Sequence, residues 1–230
     1  MQGKEGQMAE EHILILDISR LKEPSVFEAC LEKVSPQRRE QAKRHAALSG
    51  KCQSLGAGLV LNEILERFGL DPKAAVLKYG DYNKPYLPDR PGLHFNLTHS
   101  GKFAGGVWGG FPVGIDIEQV DKLREGVAGR FFHRGERMWL EGLSCGAERT
   151  KGFFRLWVLK ESFIKATGLG MRLPLNEFQI LIEENEVRVN HQVNHKVYYF
   201  QEFELEGCVG AVCGENRQVM SWGIKKISAG

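Results

Sequence analysis

The chain has no apolar run approaching the ~20 residues that a membrane-spanning helix needs. It also has no excess of either charge, since 31 Lys and Arg stand against 29 Asp and Glu. A net charge of +2 gives no overall attraction for nucleic acid or membrane, so any recognition of anions must be local. Cysteine is sparse and unpaired in sequence. Cys30, Cys52, Cys145, Cys208 and Cys213 are scattered without a CxxC spacing, which makes a poor disulfide framework and points to the reducing cytoplasm. P-loop and GxGxxG-before-helix patterns are missing too, so a phosphate site would have to be built from other parts. The polar start "MQGKEGQMAEEH" carries acids and reads as no export signal.

What is there is a globular chain of 230 residues, 42% of them hydrophobic, enough for one substantial core or two small packed halves. Residues 12 to 19, "HILILDIS", have the length and apolarity of a buried strand. Residues 24 to 70 predict two or three helices, with Pro24 and Pro36 at first turns, Ser25 and Ser35 nearby, and Gly69 at a C-terminal stop. One of these helices carries the basic cluster Arg38, Arg39, Lys43 and Arg44. Residues 77 to 92 are dense in Gly, Pro, Asp and Asn and predict a loop with one short strand. Residues 93 to 110 predict a hairpin turning at Ser100 and Gly101, and "FPVGIDIEQV" (111 to 120) follows as a third strand of the same small antiparallel sheet. Helices return over 126 to 142 and 148 to 168, the latter ending at Gly168, and "FQILIEENEVRVN", "VYYFQEFELEG" and "CVGAVCGE" read as strands with turn residues between. The order of elements predicts an α+β fold of two similar halves, 1–112 and 113–230, with any duplication structural because no short repeat is present.

Two features of this pattern carry chemistry. In the predicted strand "GIDIE", Ile115 and Ile117 share one face while Asp116 and Glu118 share the other, with Cα atoms roughly 6.5 to 7 Å apart from two strand rises. A half-wet strand accounts for this, and so does a pair of anions holding a cation. In the long helix, at about 100° per residue, Glu161 projects between Trp157 and Phe154, and Lys165 between Phe154 and Val158, inside the apolar arc. An unpaired carboxylate in a core costs several kcal/mol or becomes protonated, and an i, i+4 Glu–Lys pair worth ~0.3 to 0.5 kcal/mol does not explain an inward orientation. A divalent cation held by Asp116, Glu118 and Glu161, with a substrate phosphate facing Lys165, accounts for both. Thr98, His99 and Ser100 at the turn, Lys84 before Pro85, and the basic cluster add phosphate donors.

The stretches "NKPYLPDRPGLHFNLTHSG", "VGIDIE" and "FFRLWVLKESFIKATGLGM" resemble, in order and spacing, the signature regions of the Sfp-type 4′-phosphopantetheinyl transferases. "RFFHRGERMWLEG" and "GAVCG" extend the resemblance over most of residues 35 to 215. It implies a monomer of two pseudo-symmetric α+β halves, each a small antiparallel sheet packed on helices, with coenzyme A in the cleft between them. The implied reaction moves 4′-phosphopantetheine from coenzyme A to a serine of an acyl, peptidyl or aryl carrier protein and releases adenosine 3′,5′-bisphosphate. The resemblance further implies that Asp116, Glu118 and Glu161 bind Mg²⁺, or Mn²⁺ in its place, and that Glu161 is the base for the serine. Lys165 would contact the pyrophosphate with Lys160 nearby, Lys84 and Pro85 would lie against the adenine nucleotide, and Thr98 and His99 would meet its phosphates. Thr98 replaces the commoner Ser. Gln53 stands where an arginine toward the 3′-phosphate is expected, leaving that contact to Arg38, Lys43 or Arg44. Carriers present an acidic helix beside their serine, so "HRGERMWLEG" and its flanks are candidates for docking, with core packing of Met138, Trp139 and Leu140 the competing role. Two other readings of the same residues are a Mg²⁺-dependent phosphohydrolase using water as nucleophile, and a carrier-binding module without catalysis.

Overall fold

Four consecutive apolar residues in β1 (Glu11–Asp17) are all buried because the strand is covered on both faces: Leu14 and Leu16 pack toward helices, Ile13 and Ile15 toward a second sheet. The computed structural model describes residues 11–80, 82, 84–122, 126–184 and 186–229. Residues 1 to 10, with most of the polar start, and Asn83 of the "NKPY" loop lie outside the described residues.

After β1 come α1 (Pro24–Leu31), α2 (Pro36–Arg44) and α3 (Leu48–Arg67). Pro24 and Pro36 occupy first turns, and the Ser35 hydroxyl caps α2 by accepting from Arg38 N. Ser25 gives α1 no such cap; Glu23 stands at that position without a side-chain bond. A short ladder, β2 (Lys78–Tyr79) with β3 (Pro85–Tyr86), precedes the hairpin β4 (His94–Ser100) and β5 (Phe103–Gly109). The second half runs β6 (Val113–Gln119), α4 (Val127–Phe131), α5 (Arg134–Gly142), α6 (Ala147–Thr167), β7 (Gln179–Ile182), β8 (Val187–Asn190), β9 (Tyr199–Leu205), β10 (Cys208–Gly214) and β11 (Gly223–Ser228).

The main sheets repeat one plan. In the first, β1 pairs with β5 and β5 with β4; in the second, β6 pairs with β10 and β10 with β9, every pairing antiparallel. Each sheet packs a long helix, α3 or α6, against its central strand, and both central strands are buried along their whole length. A third apolar cluster, including Ile13, Ile15 and Val107 of one sheet and Val113, Ile115, Ile117 and Val212 of the other, joins the two sheets.

Two expectations are corrected. The strand "VGIDIEQ" does not complete the hairpin's sheet: β6 makes its ladder with β10, and it meets β4 only through side chains. The division into 1–112 and 113–230 is also not clean, because β11 leaves the second half and pairs in parallel with β1. Backbone hydrogen bonds across a sheet are set by long-range pairing, which alternation of side chains does not encode.

Candidate active site

Because β4 and β6 lie side by side without a ladder, the polar side chains of β4 supply the contacts that a ladder would otherwise make. Asn96, Thr98 and Ser100, two residues apart and therefore on one face, reach across in turn. Asn96 Oδ1 accepts from Ile115 N, Thr98 Oγ1 donates to Asp116 Oδ1 at 3.2 Å, and Ser100 Oγ donates to Glu118 Oε2 and accepts from Gln119 N. Asp116 and Glu118 thus share a face as their spacing predicts, and the isoleucines between them are anchored in the cluster joining the sheets.

That same face of β6 meets α6. Gly114 is the reason the helix comes so close, since a Cβ there would collide with Ser162 O, Ala166 N and Lys165 Cβ. Glycine at this position lets the helix backbone touch the strand and turns Glu161 and Lys165 toward the carboxylates. Lys165 Nζ donates to Asp116 Oδ1 at 2.6 Å, to Ile115 O at 3.1 Å and to Thr98 Oγ1 at 3.4 Å. These groups line a cleft of about 570 Å³ that also takes in Arg38, Gln41, Tyr79, Pro85, His99, Trp157 and Glu161. Elements of both halves therefore form its walls.

The electrostatics are those of an anionic site short of positive charge. Burial raises the pKa of Asp116, opposed by Lys165; burial and then Asp116 raise Glu161; burial and then Asp116 push Glu118 up to about 7. Asp116 Oδ2 is buried and finds no hydrogen-bond partner. Among the described residues no three His, Cys, Asp or Glu side chains already form a group set to hold a metal ion, because Asp116 Oδ1 faces Lys165 and Glu118 faces Ser100. The donor set nevertheless suits a hard cation that takes one or two carboxylates and completes its octahedron with water and substrate phosphate. The unpartnered Asp116 oxygen and the three raised carboxyls are what such a cation would relieve. His99, at the rim, is held below its ordinary pKa by burial and then by Lys165.

The basic cluster divides. Arg38 lines the cleft, with Nε buried and unpartnered and its pKa drawn down by burial, while Lys43 and Arg44 are exposed and do not line it. Arg39 turns away to Glu32 and Leu31 O. Gln53 donates to Gly101 O and faces a different cavity. The Lys84 ammonium is spent on backbone: it bridges Val113 O at 2.9 Å and Lys165 O at 2.6 Å, and burial brings its pKa down to about 8.

Lys160 is the clear correction. Expected beside the pyrophosphate, it is fully buried on the far side of α6, where Nζ meets Glu136 Oε1 at 2.5 Å and Phe178 O at 2.9 Å. Sequence reasoning missed Glu136 altogether. The signal was His133-x-x-Glu136, the spacing of a capping box with histidine in place of the usual Ser or Thr.

Residues 112–213 match the family model described as the 4′-phosphopantetheinyl transferase superfamily. Over 183 residues the chain is 34% identical to 4′-phosphopantetheinyl transferase Sfp of Bacillus subtilis, covering 78% of this chain and 81% of that protein. The chain belongs to the 4′-phosphopantetheinyl transferases. Another relative of this transferase, psf-1 of Bacillus pumilus, is 36% identical over 154 residues, 66% of this chain and 65% of that one. A holo-(acyl-carrier-protein) synthase from Bacillus anthracis, solved in complex with CoA (3′,5′-ADP), is 18% identical with a TM-score of 0.41, covering 44% of this chain and 92% of that one. No helix among the described residues of the transferase is long and apolar enough to cross a membrane.

Proposed function

We propose that this transferase moves 4′-phosphopantetheine from coenzyme A to the serine hydroxyl of an acyl, peptidyl or aryl carrier protein, with the cleft at Asp116, Glu118, Glu161 and Lys165 as its active site. The observation that carries the assignment of the site is the convergence of three carboxyls with raised pKa values and one ammonium between the two halves. Asp116, Glu118 and Glu161 would hold Mg²⁺, or Mn²⁺ in its place, and the bound ion would neutralise charge on the pyrophosphate oxygens.

Lys165 turns from Asp116 to the pyrophosphate once the carboxylates are otherwise engaged. Thr98 and His99 face the nucleotide phosphates, Arg38 takes the 3′-phosphate, and the backbone at Lys84 and Pro85 flanks the adenine. Glu161, its pKa raised by burial, accepts the serine proton directly or through one water. The serine Oγ bonds to phosphorus as the bridging P–O bond breaks. Adenosine 3′,5′-bisphosphate leaves with the electron pair, its developing charge met by Lys165. All five cysteines are free, which suits a reducing cytoplasm, and the cleft is complete within one chain, which suits a monomer.

The test is incubation with coenzyme A, Mg²⁺ and a small apo carrier protein, followed by mass spectrometry of the carrier. The carrier gains the mass of one phosphopantetheine group, EDTA abolishes the gain, and Glu161→Gln or Asp116→Ala strongly reduces it. Unmodified acyl and peptidyl carriers alongside coenzyme A cleaved by water would replace transfer with hydrolysis.

A further inference from the structure

The most enclosed charges in the second half are Glu136 and Lys160, both side chains fully buried. Every polar atom of the pair is occupied. Glu136 Oε1 accepts from Lys160 Nζ at 2.5 Å and from Ile180 N at 2.7 Å, and its Oε2 accepts from His133 N at 2.8 Å. Lys160 Nζ also donates to Phe178 O and sits 4.1 Å from the centroid of the Phe178 ring. One node thus ties the N-terminus of α5, the middle of α6 and the segment entering β7.

Stability alone does not call for such a pair, since buried ion pairs replaced by apolar residues of similar volume are often neutral or stabilising. What an apolar contact specifies poorly is rotation about the helix axis. Helix α6 is apolar on two sides: Phe163 packs toward Phe178 and Tyr198, while its other face lies on β6 and β10. A helix buried in this way has several acceptable rotations unless a directional contact selects one.

We propose that Glu136 and Lys160 are positioning residues for the reaction, fixing the rotation of α6 that turns Glu161 and Lys165 toward Asp116. Glu161 follows Lys160 by one residue, about 100° around the helix, and Lys165 by five, about 140°. Pinning Lys160 against α5 and the start of β7 therefore fixes both cleft residues on the opposite side. Lys160 itself touches no cleft residue, so this role replaces the direct phosphate contact expected of it.

The inference rests on the transferase reading for its kinetic arm only. The informative protein is the full chain carrying Glu136→Leu with Lys160→Met, which removes both charges together; Lys160→Met alone strands a buried carboxylate and is expected to unfold more easily. Against wild type, the double variant should melt within a few degrees, retain KM for coenzyme A within twofold, and lose at least tenfold in kcat. Hydrogen exchange along residues 156–165, read without substrate, should accelerate at least tenfold at that same melting temperature. Full kcat with wild-type exchange would reduce the pair to a mere stabilising contact. A tenfold rise in KM for coenzyme A with unchanged exchange would return Lys160 to the phosphates, and either result overturns the proposal. Should wild type modify no carrier, the transferase reading fails by itself, and the exchange measurement still decides the positioning role.

Discussion

The ammonium of Lys165 on α6 lies 2.6 Å from Asp116 Oδ1 on β6, within the second half, while no ion pair is formed with Glu161 one turn earlier on its own helix. Lys165 therefore stands in competition with any cation that Asp116 would hold. Lys165→Met should bind Mn²⁺ more tightly than wild type in the absence of coenzyme A, measured by calorimetry or electron paramagnetic resonance. The same variant should lose transfer at least a hundredfold and about 2 kcal/mol of stability in urea. That cost is below the range for a fully enclosed pair, because the Lys165 side chain is 26% exposed.

Gly114→Ala tests the contact between β6 and α6. The added methyl meets backbone atoms of Ser162 and Ala166, which have no room to yield. Urea denaturation should show a loss of about 3 kcal/mol, at the upper end for overpacking. Transfer should fall further than stability explains, since α6 carries Glu161 and Lys165 away from Asp116 as it retreats.

Glu118 gives a pH signature. Its carboxyl titrates near 4.5 when unfolded and about 7 in the folded chain, so the folded state holds the proton more tightly. Its contribution is then full below pH 4.5 and is lost as the pH rises through 7. Without divalent ions, Glu118→Gln should melt about 2 to 4 °C above wild type at pH 8 and level with it at pH 4.5. Mg²⁺ should raise the melting temperature of wild type more at pH 8 than at pH 6, because the carboxylates must shed protons to bind it.

Arg38 is separated from its basic neighbours by exposure. Arg38→Ala should raise KM for coenzyme A about tenfold and leave KM for 3′-dephospho-coenzyme A nearly unchanged, whereas Lys43→Ala and Arg44→Ala should stay within twofold for both. Equal effects of all three variants would place the 3′-phosphate outside the cleft wall that Arg38 lines.

Local patterns were readable and long-range pairings were not. Alternation in "GIDIE" gave the shared face of Asp116 and Glu118, and helical spacing gave the inward orientation of Glu161 and Lys165, because both depend only on the periods of strand and helix. Proline and glycine marked the ends of α1, α2 and α6 for equally local reasons. The partner of β6 is not legible because the strand directly follows the hairpin, and adjacency in the chain favours the hairpin's sheet over the distant β10. The role of Lys160 rests on the resemblance alone, and its buried partner Glu136 lies on another helix, a contact that no local period encodes. Strand β11, with its polar "GIKKIS", carried too weak an alternation to be anticipated at all.

The parallel pairing of β11 with β1 has a consequence for biosynthesis. Residues 223–228 are synthesised after every other described strand, yet they cover the edge that β1 leaves open in the first sheet. Until then β1 presents unpaired amides along its Ile and Leu residues, an invitation to foreign strands. Fragments ending before Gly223 should accordingly collect in inclusion bodies, and the nascent chain should need shielding by a chaperone until β11 is paired.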